Sequence, residues 1–392
     1  MMRLRHVTVT REGWYYLAVL VLIFGGAMLR EVNLLLMVAG ILLGPVVYSV
    51  WAGRRSLRGL RAERKLPRSI CAGDLLVVPL QVGNSRRRGA VWSVVVEDRI
   101  RRDDQADSAG PLRPAVLFAH VAAGQIERGS YRARLTARGR YRFGPLRLST
   151  RFPFGLLEWR AELGDGEVLI VYPRLGRLSR RWAARHREAF DHAHRRERRD
   201  GSAGEFYGVR AWHEGDPMRW IHWPTTARTG ALSVRQFEQP RDREVVVLVD
   251  LWQPARPTPS DGDSVELAVS FAATILADFC RKGAGDVHLV TLDGSGERIG
   301  GPASQPRLEE MMERLALAAP SDHARTAELL DRALDGTRGG AELVLVTTRP
   351  VPHDELALRG HSHYDAARRA ALRHLRVVDA SSGTLEEYFR SQ

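Results

Sequence analysis

Lysine is almost missing from this chain. Only Lys65 and Lys282 occur among 392 residues, yet the formal charge is +13, so arginine carries nearly all of the positive charge. A surface built to hold nucleic acid is a local basic patch. Here the arginine bias runs through the whole chain, and no specific nucleic-acid partner is implied. The densest run, residues 174–200, mixes ten arginines with four acids. It reads as a solvated linker or a face near anionic lipid. Neither lysine stands in a G-x-x-x-x-G-K-[ST] loop, which excludes that phosphate cradle. Cysteine is equally scarce: Cys71 and Cys280 lie far apart and form no C-x-x-C pair. That excludes a disulfide framework and reads as two free thiols. No G-x-S-x-G elbow is present, and His213-Glu214 does not continue as H-E-x-x-H. His192-Ala-His194 and His361-Ser-His363 read as exposed pairs. No cofactor is implied.

Long apolar runs, by contrast, are present twice. Residues 13–29 and 32–50 are separated only by Arg30 and Glu31. At helical rise each comes close to the ~30 Å hydrocarbon thickness of a bilayer. So short a connection folds the second run back on the first, as a transmembrane helical hairpin whose two ends emerge on one face. Arg3, Arg5 and Arg11 precede it; Arg54, Arg55, Arg58, Arg61, Arg64 and Lys65 follow. The positive-inside rule places both termini and the bulk of the chain in the cytoplasm. Trp14, Tyr15 and Tyr16 open the first span and Tyr48 and Trp51 close the second, which sets these rings at one interface. A cleaved signal peptide needs an A-x-A-like site before the second run, and none is there.

The remainder reads as a multi-domain chain. Residues 1–53 are the hairpin. Residues 60–172 carry short runs rich in Val, Leu and Ile at 75–82, 91–100, 131–136, 141–148 and 168–172, punctuated by glycine and proline, with a polar turn at 83–89. That spacing predicts an antiparallel β-sandwich-like domain. Residues 173–243 are a basic linker and a motif-rich segment. Residues 244–392 alternate strands (244–251, 287–292, 342–347, 376–379) with helices (264–281, 307–317, 326–334, 364–373, 385–390). Such alternation predicts an α/β doubly wound parallel sheet, with Asp263 or Ser264 capping its first helix. Ligands of such sheets bind beyond the strands' carboxyl ends, here near Asp250 and Thr347.

The segment from Gly204 to Glu238 carries Glu205, Phe206, Arg210, Gly215, Asp216, Arg219, Ile221, Trp223, Ala227, Arg228, Leu232, Val234, Phe237 and Glu238. This resembles the signature G-x-E-F-x-x-x-R-x-Y-x-x-G-D-x-x-R-x-I-x-W-x-x-S-A-R-x-x-x-L-x-V-R-x-F-E of the bacterial family called domain of unknown function 58. Trp212 stands where that family usually has tyrosine, and Thr226 where it has serine. Residues 139–160 resemble the family too, with Phe152 in place of the usual aspartate before Pro-Phe-Gly.

The resemblance implies a von Willebrand factor type A-like domain after the signature, a bacterial inner-membrane location, and partnership with a MoxR-type AAA+ ATPase. Many type A-like domains hold a metal through D-x-S-x-S, a threonine and a later aspartate. Here Asp250 and Thr326 match, but Trp252 and Pro254 replace the serines and Arg349 follows the later strand. A hard cation wants about six oxygens, so the site reads as a degenerate remnant. The charged signature reads as a structural belt, with Trp223 and Arg228 buried in a seam between domains. Trp252 and Thr348 are candidates for partner docking. The chain thus reads as a membrane-anchored interaction or scaffold protein without its own catalysis. The alternatives are a hydrolase or transferase using the Glu205–Arg228 cluster, or binding of an anionic polymer by the arginines.

Overall fold

A computed structural model describes residues 3–30, 32–103, 110–184, 206–214, 216–237, 244–283, 285–292, 298–335, 337, 341–351 and 375–390. Contacts divide the chain into two units, Met1–Tyr172 and Pro173–Gln392.

The first unit opens with a strand that sequence reading did not anticipate, β1 (Arg3–Val9). Helices α1 (Arg11–Arg30) and α2 (Asn33–Ser56) follow, and both are long and apolar enough to cross a membrane. They pack on each other. Small Ala27 and Ala39 are buried, and the Tyr16 hydroxyl donates to the Leu42 carbonyl at 2.7 Å. Small residues and polar bridges of this kind join helices where the surroundings are apolar. Large side chains such as Leu22 and Leu29 point outward, 76% and 87% exposed.

Eleven strands complete the unit: β2 (Leu60–Arg64), β3 (Ile70–Cys71), β4 (Leu75–Asn84), β5 (Val91–Glu97), β6 (Ile100–Arg102), β7 (Ala115–Val121), β8 (Ile126–Arg134), β9 (Gly139–Phe143), β10 (Leu146–Thr150), β11 (Leu157–Leu163) and β12 (Glu167–Tyr172). They form sheets ordered β1-β11-β10-β5-β7, β3-β12-β9-β6 and β2-β4-β8. Pairing is antiparallel except between β3 and β12. One apolar cluster, including Leu76, Val78, Leu80, Val94, Val96, Phe143 and Leu148, is shared by strands of all three sheets. The expected run 91–100 divides around Asp98, and 141–148 divides at Gly144-Pro145. Both breaks border one buried network. Asp98 turns inward, fully buried, to meet the buried guanidinium of Arg64 at 2.7 Å. Arg64 also donates to the carbonyls of Phe143 and Gly144, at 3.1 and 2.8 Å, and to Glu167 at 2.9 Å. The Tyr131 hydroxyl donates to the other Asp98 oxygen at 2.7 Å. Burial and that bond push the Tyr131 hydroxyl far above its ordinary pKa. A buried ion pair is tolerated when its remaining polar atoms are satisfied in this way.

The helices are joined to the strands at four places. Gly53 of α2 lies against Trp159 of β11, so close that a Cβ there would sit 2.0 Å from the indole nitrogen. Leu57, just past α2, enters the core at 1% exposure. At the start of α1, Thr10 donates its hydroxyl to the Gly155 carbonyl at 2.6 Å and its backbone N–H to Leu156 at 3.1 Å. Finally, Arg86 after β4 donates to the carbonyls of Arg55, Ser56 and Arg58. A cation capping the carbonyls of a helix C-terminus is favourable.

The second unit begins with β13 (Arg177–Leu178). The signature forms a small module: β14 (Phe206–Ala211), a 3₁₀ turn at Met218–Trp220, helix α3 (Trp223–Thr229) and β15 (Ser233–Phe237), with β14 and β15 antiparallel. Next come β16 (Glu244–Asp250), α4 (Pro259–Lys282), β17 (Asp286–Thr291), β18 (Ile299–Pro302), α5 (Gln305–Leu317), α6 (Thr326–Leu334), β19 (Glu342–Thr347), β20 (Leu375–Asp379) and β21 (Phe389–Arg390). The sheet order is β18-β17-β16-β19-β20, parallel except for the edge strand β18. Every residue of β16 is buried, as a strand covered on both faces requires. Val246 and Leu248 pack with α6 in one cluster. The alternate residues Val245, Val247 and Val249 face the other way, and α4 packs on β16 as well.

Two expectations are corrected here. The helix α4 starts at Pro259, not near Ser264: the Asp261 carboxylate accepts from the Thr258 backbone N–H at 2.8 Å and from its hydroxyl at 2.6 Å, which fixes the helix entry earlier. Residues 385–390 are not a helix. A 3₁₀ turn, Gly383–Glu387, leads into β21, which pairs with β13. Phe389 is buried and packs edge-on to Phe271 of α4 at 5.6 Å, which holds the tail extended. The expected helix 364–373, His192, His194, His361 and His363 lie outside the described residues.

The Gly53–Trp159 contact yields a direct test. Gly53→Val overfills it, at a cost of about 1–3 kcal/mol, whereas Gly40→Val on the same helix meets nothing within 4 Å. The full chain in detergent should lose several degrees of Tm with the first substitution and almost none with the second. Equal Tm values would show that the helix is not seated on β11.

Candidate functional site

The strand order creates a switch point. From β16 the chain passes to β17 on one side and later returns to β19 on the other. Ligands of open α/β sheets bind at the carboxyl ends beside such a point. Asp250 ends β16, Thr347 ends β19, and the two are register partners. Asp250 is 5% exposed and accepts from the hydroxyl of Thr326, at the start of α6, at 2.5 Å. Arg349 in turn donates through Nη2 to the same Thr326 oxygen at 2.9 Å. The structure therefore brings together both residues read as metal-site remnants. It adds a guanidinium, not a second carboxylate. Among the described residues there is no group of three or more His, Cys, Asp or Glu able to hold a metal.

Trp252 sits two residues beyond Asp250. It forms an isolated parallel bridge with Ser321, and its indole N–H donates to the Asp322 carbonyl at 3.1 Å. Its side chain remains half-exposed. Thr348 is buried, and its hydroxyl donates to the Trp252 carbonyl at 2.5 Å. Thr348 thus holds the Trp252 backbone, and the surface offered at these strand ends is that of Trp252.

The signature module is organised by one ion pair. Arg210 holds Asp216 through two bonds of 2.6 and 2.7 Å, and the His213 backbone N–H adds a third at 2.9 Å. The Arg210 guanidinium is the main reason that Asp216 titrates near 2, well below the usual carboxylate range. A depressed value means the interaction is intact above the ordinary aspartate pKa and fades as pH falls toward 2. Across physiological pH Asp216 stays ionised and committed to Arg210. His213 Nδ1 lies 3.1 Å from both Arg210 Nη1 and the Ala211 carbonyl. His222 caps α3 by accepting from the Thr225 backbone N–H through Nδ1 at 3.3 Å.

Burial in this module differs from the expected belt. Ile221 and Val234 are buried, at 6% and 1% exposure, but Trp223 is 65% exposed and Arg219 and Arg228 are exposed too. The reason is local. Thr226 faces β15, where it accepts from the Ser233 N–H at 3.1 Å. Trp223 opens this seven-residue helix one turn earlier, at its N-terminal end, and its ring stays in solvent. Glu205, Gly215 and Glu238 lie outside the described residues, as do the side chains of Phe206 and Phe237.

Sequence reading passed over Arg64, Asp98 and Tyr131. Asp98 and Tyr131 lie inside runs read as strands, and Arg64 was counted only as a membrane flank. A groove above this network is lined by Arg140, Arg142, Phe143, Gly144 and Glu167.

The strand-end cluster predicts its own cost of disruption. Thr326→Val keeps the shape but removes the donor to a buried carboxylate, which costs about 1–3 kcal/mol. Thermal denaturation should show the loss, and millimolar Mg²⁺ or Mn²⁺ should leave the wild-type Tm unmoved. A metal-dependent rise of several degrees that vanishes in Asp250→Ala would contradict this account.

Residues 208–375 match the family described as "Protein of unknown function DUF58". The "Uncharacterized protein YeaD" of Bacillus subtilis (strain 168) is 24% identical over 251 residues, which are 61% of this chain and 58% of that one. The chain thus matches little more than half the length of that curated relative. Among solved structures, the CARDB domain of PF1109 from Pyrococcus furiosus covers 29% of this chain and 95% of its own, at 11% identity and a TM-score of 0.20. A beta-glucosidase from Listeria innocua covers 29% of this chain and 15% of its own, at 15% identity and a TM-score of 0.19. Scores this low bear on neither fold nor function. The family match and the Bacillus relative support the DUF58 family, the same family that the signature at 204–238 resembles.

Proposed function

We propose that this chain is a membrane-anchored interaction protein that offers the carboxyl end of its α/β sheet to a partner and performs no catalysis of its own. The strand-end cluster is the observation that carries this reading. At the place where a ligand of such a sheet would sit, Arg349 reaches Thr326 from within, while Trp252 stays half-exposed on the rim. Aromatic side chains in such positions are common anchors of interfaces. The sheet order and the placing of Asp250 and Thr326 support a von Willebrand factor type A-like domain with a degenerate metal site. The pairing of Asp216 with Arg210 also favours a binding role over acid–base chemistry, since a catalytic carboxylate needs a pKa near working pH.

The apolar hairpin anchors the chain in a bacterial inner membrane, with both termini and the large units on the cytoplasmic side. The flanking arginines support that orientation. The partner is a MoxR-type AAA+ ATPase, a proposal that rests on the family resemblance. With no phosphate-cradling loop in this chain, the partner would supply the energy.

Capture of a co-encoded AAA+ ATPase by the detergent-solubilised protein tests the reading. Wild type should capture it, and Trp252→Ala should capture it about tenfold more weakly, as expected for losing about 1.4 kcal/mol. Equal capture by a folded Trp252→Ala would remove Trp252 from the interface. No capture by wild type would remove the ATPase as partner.

A further inference from the structure

One end of the five-stranded sheet in the first unit carries exposed aromatic rings. Trp92 of β5 is 47% exposed and lies 4.3 Å from the His120 ring and 6.5 Å from Phe152. Phe154, two residues on, is 55% exposed and lies 6.2 Å from Tyr48 of α2. Tyr48 is in turn 5.7 Å from Trp51. These rings share the sheet end from which the helices depart. Val9, the last residue of β1, pairs with Leu157, and the loop holding Phe152 and Phe154 is bonded to Thr10 at Gly155 and Leu156. Basic residues stand nearby in the chain. Arg86 caps the C-terminal carbonyls of α2, which places the exposed Arg87 and Arg88 beside the helix end and just before Val91 and Trp92.

We propose that this end of the sheet is a second membrane-contacting surface, with Trp92, Phe152 and Phe154 in the headgroup region of the bilayer that the helices cross and Arg87 and Arg88 against its anionic phosphates. The inference rests on the anchoring reading above and extends it. Two features select lipid as the occupant. The patch is continuous, through the Phe154–Tyr48 contact, with the aromatic end of a helix long and apolar enough to span. Its composition, amphipathic rings beside arginines, is also that of an interfacial belt facing anionic headgroups. Because the loop is bonded to the start of α1 and Arg86 to the end of α2, depth follows from the helices. A bilayer that covers the apolar length of α1 and α2 up to Tyr48 and Trp51 meets Phe154 at the same level.

The test uses the full chain, with Cys71→Ser and Cys280→Ser, in vesicles of phosphatidylcholine and phosphatidylglycerol. A polarity-sensitive fluorophore is attached in turn to Phe154→Cys, Trp92→Cys, Leu22→Cys and Leu75→Cys. Leu75 is exposed at the far end of β4, about 30 Å from Asn84 at strand rise. A quencher carried on the headgroup should quench probes at 154 and 92 several-fold more than the probe at 75. A quencher deep in the acyl chains should act on the probe at 22. Arg87→Ser with Arg88→Ser should weaken quenching at 154 and 92 and leave that at 22 intact. Quenching at 22 with 154 and 92 behaving like 75 would overturn the second surface and leave the anchor standing. No quenching at any position would overturn the anchor itself. Protection of 154 from aqueous iodide without quenching by lipid would assign the patch to a second copy of the chain and equally overturn the proposal.

Discussion

The seating of α2 on β11 is the contact on which the first unit depends. Gly53 is the residue that permits it, because any side chain there would enter the indole of Trp159. Close approach continues at Leu57, which leaves the helix and joins the β core. The hairpin is therefore not a tether on a loose linker. Three separated contacts fix its direction relative to the sheets: Gly53 packed on Trp159, Thr10 bonded to the 155–156 backbone, and Arg86 bonded to the last turn of α2. A joint of this kind transmits the orientation of the helices to the whole unit. The same joint gives the aromatic loop at 152–154 its place beside Tyr48.

Arginine does within the fold what its abundance hid in the sequence. Arg64 is an internal cation that binds Asp98, Glu167 and two carbonyls beside the places where two pairs of strands separate. Arg298 pairs with buried Glu244 at the start of β16 and also reaches the carbonyls of Ala333 and Asp335 at the end of α6, tying the helix to the strand. Arg349 reaches Thr326 at the opposite end of β16. The planar, multiply donating guanidinium suits such sites, where several acceptors must be met at once and the charge must persist when buried.

Much of this was legible in residues whose pattern has a single physical reading. The run 342–347, Glu-Leu-Val-Leu-Val-Thr, is apolar on both faces and matches β19; the helix 326–334 likewise agrees with α6. The two apolar runs became α1 and α2, lengthened at their polar ends because those ends continue into the β unit. Other features lacked a local signal. The strands β2 and β11, Leu-Arg-Ala-Glu-Arg and Leu-Glu-Trp-Arg-Ala-Glu-Leu, carry few β-branched residues, and their pairing with distant strands is what makes them strands. Phe389 looked helical beside Leu385 and Glu386, yet its ring is fixed by Phe271, more than a hundred residues away. Trp223 matched a family motif, which says that a ring is wanted but not which face of a short helix bears it. At the candidate site, Asp250, Thr326 and Arg349 were grouped only through the family resemblance, and nothing in their spacing showed the Arg349–Thr326–Asp250 chain of bonds. Their convergence required the sheet order.

The central claim is that hairpin and β unit form one rigid body that sets how the chain stands at a membrane. Pulsed electron–electron double resonance tests it most directly, with spin labels at Met37→Cys on α2 and Leu75→Cys on β4, in Cys71→Ser, Cys280→Ser chains placed in lipid nanodiscs. The account predicts a single narrow distance distribution, which broadens when Gly53→Val is added. A broad distribution in the unmodified joint would show the hairpin hinging freely on the strands and would contradict it.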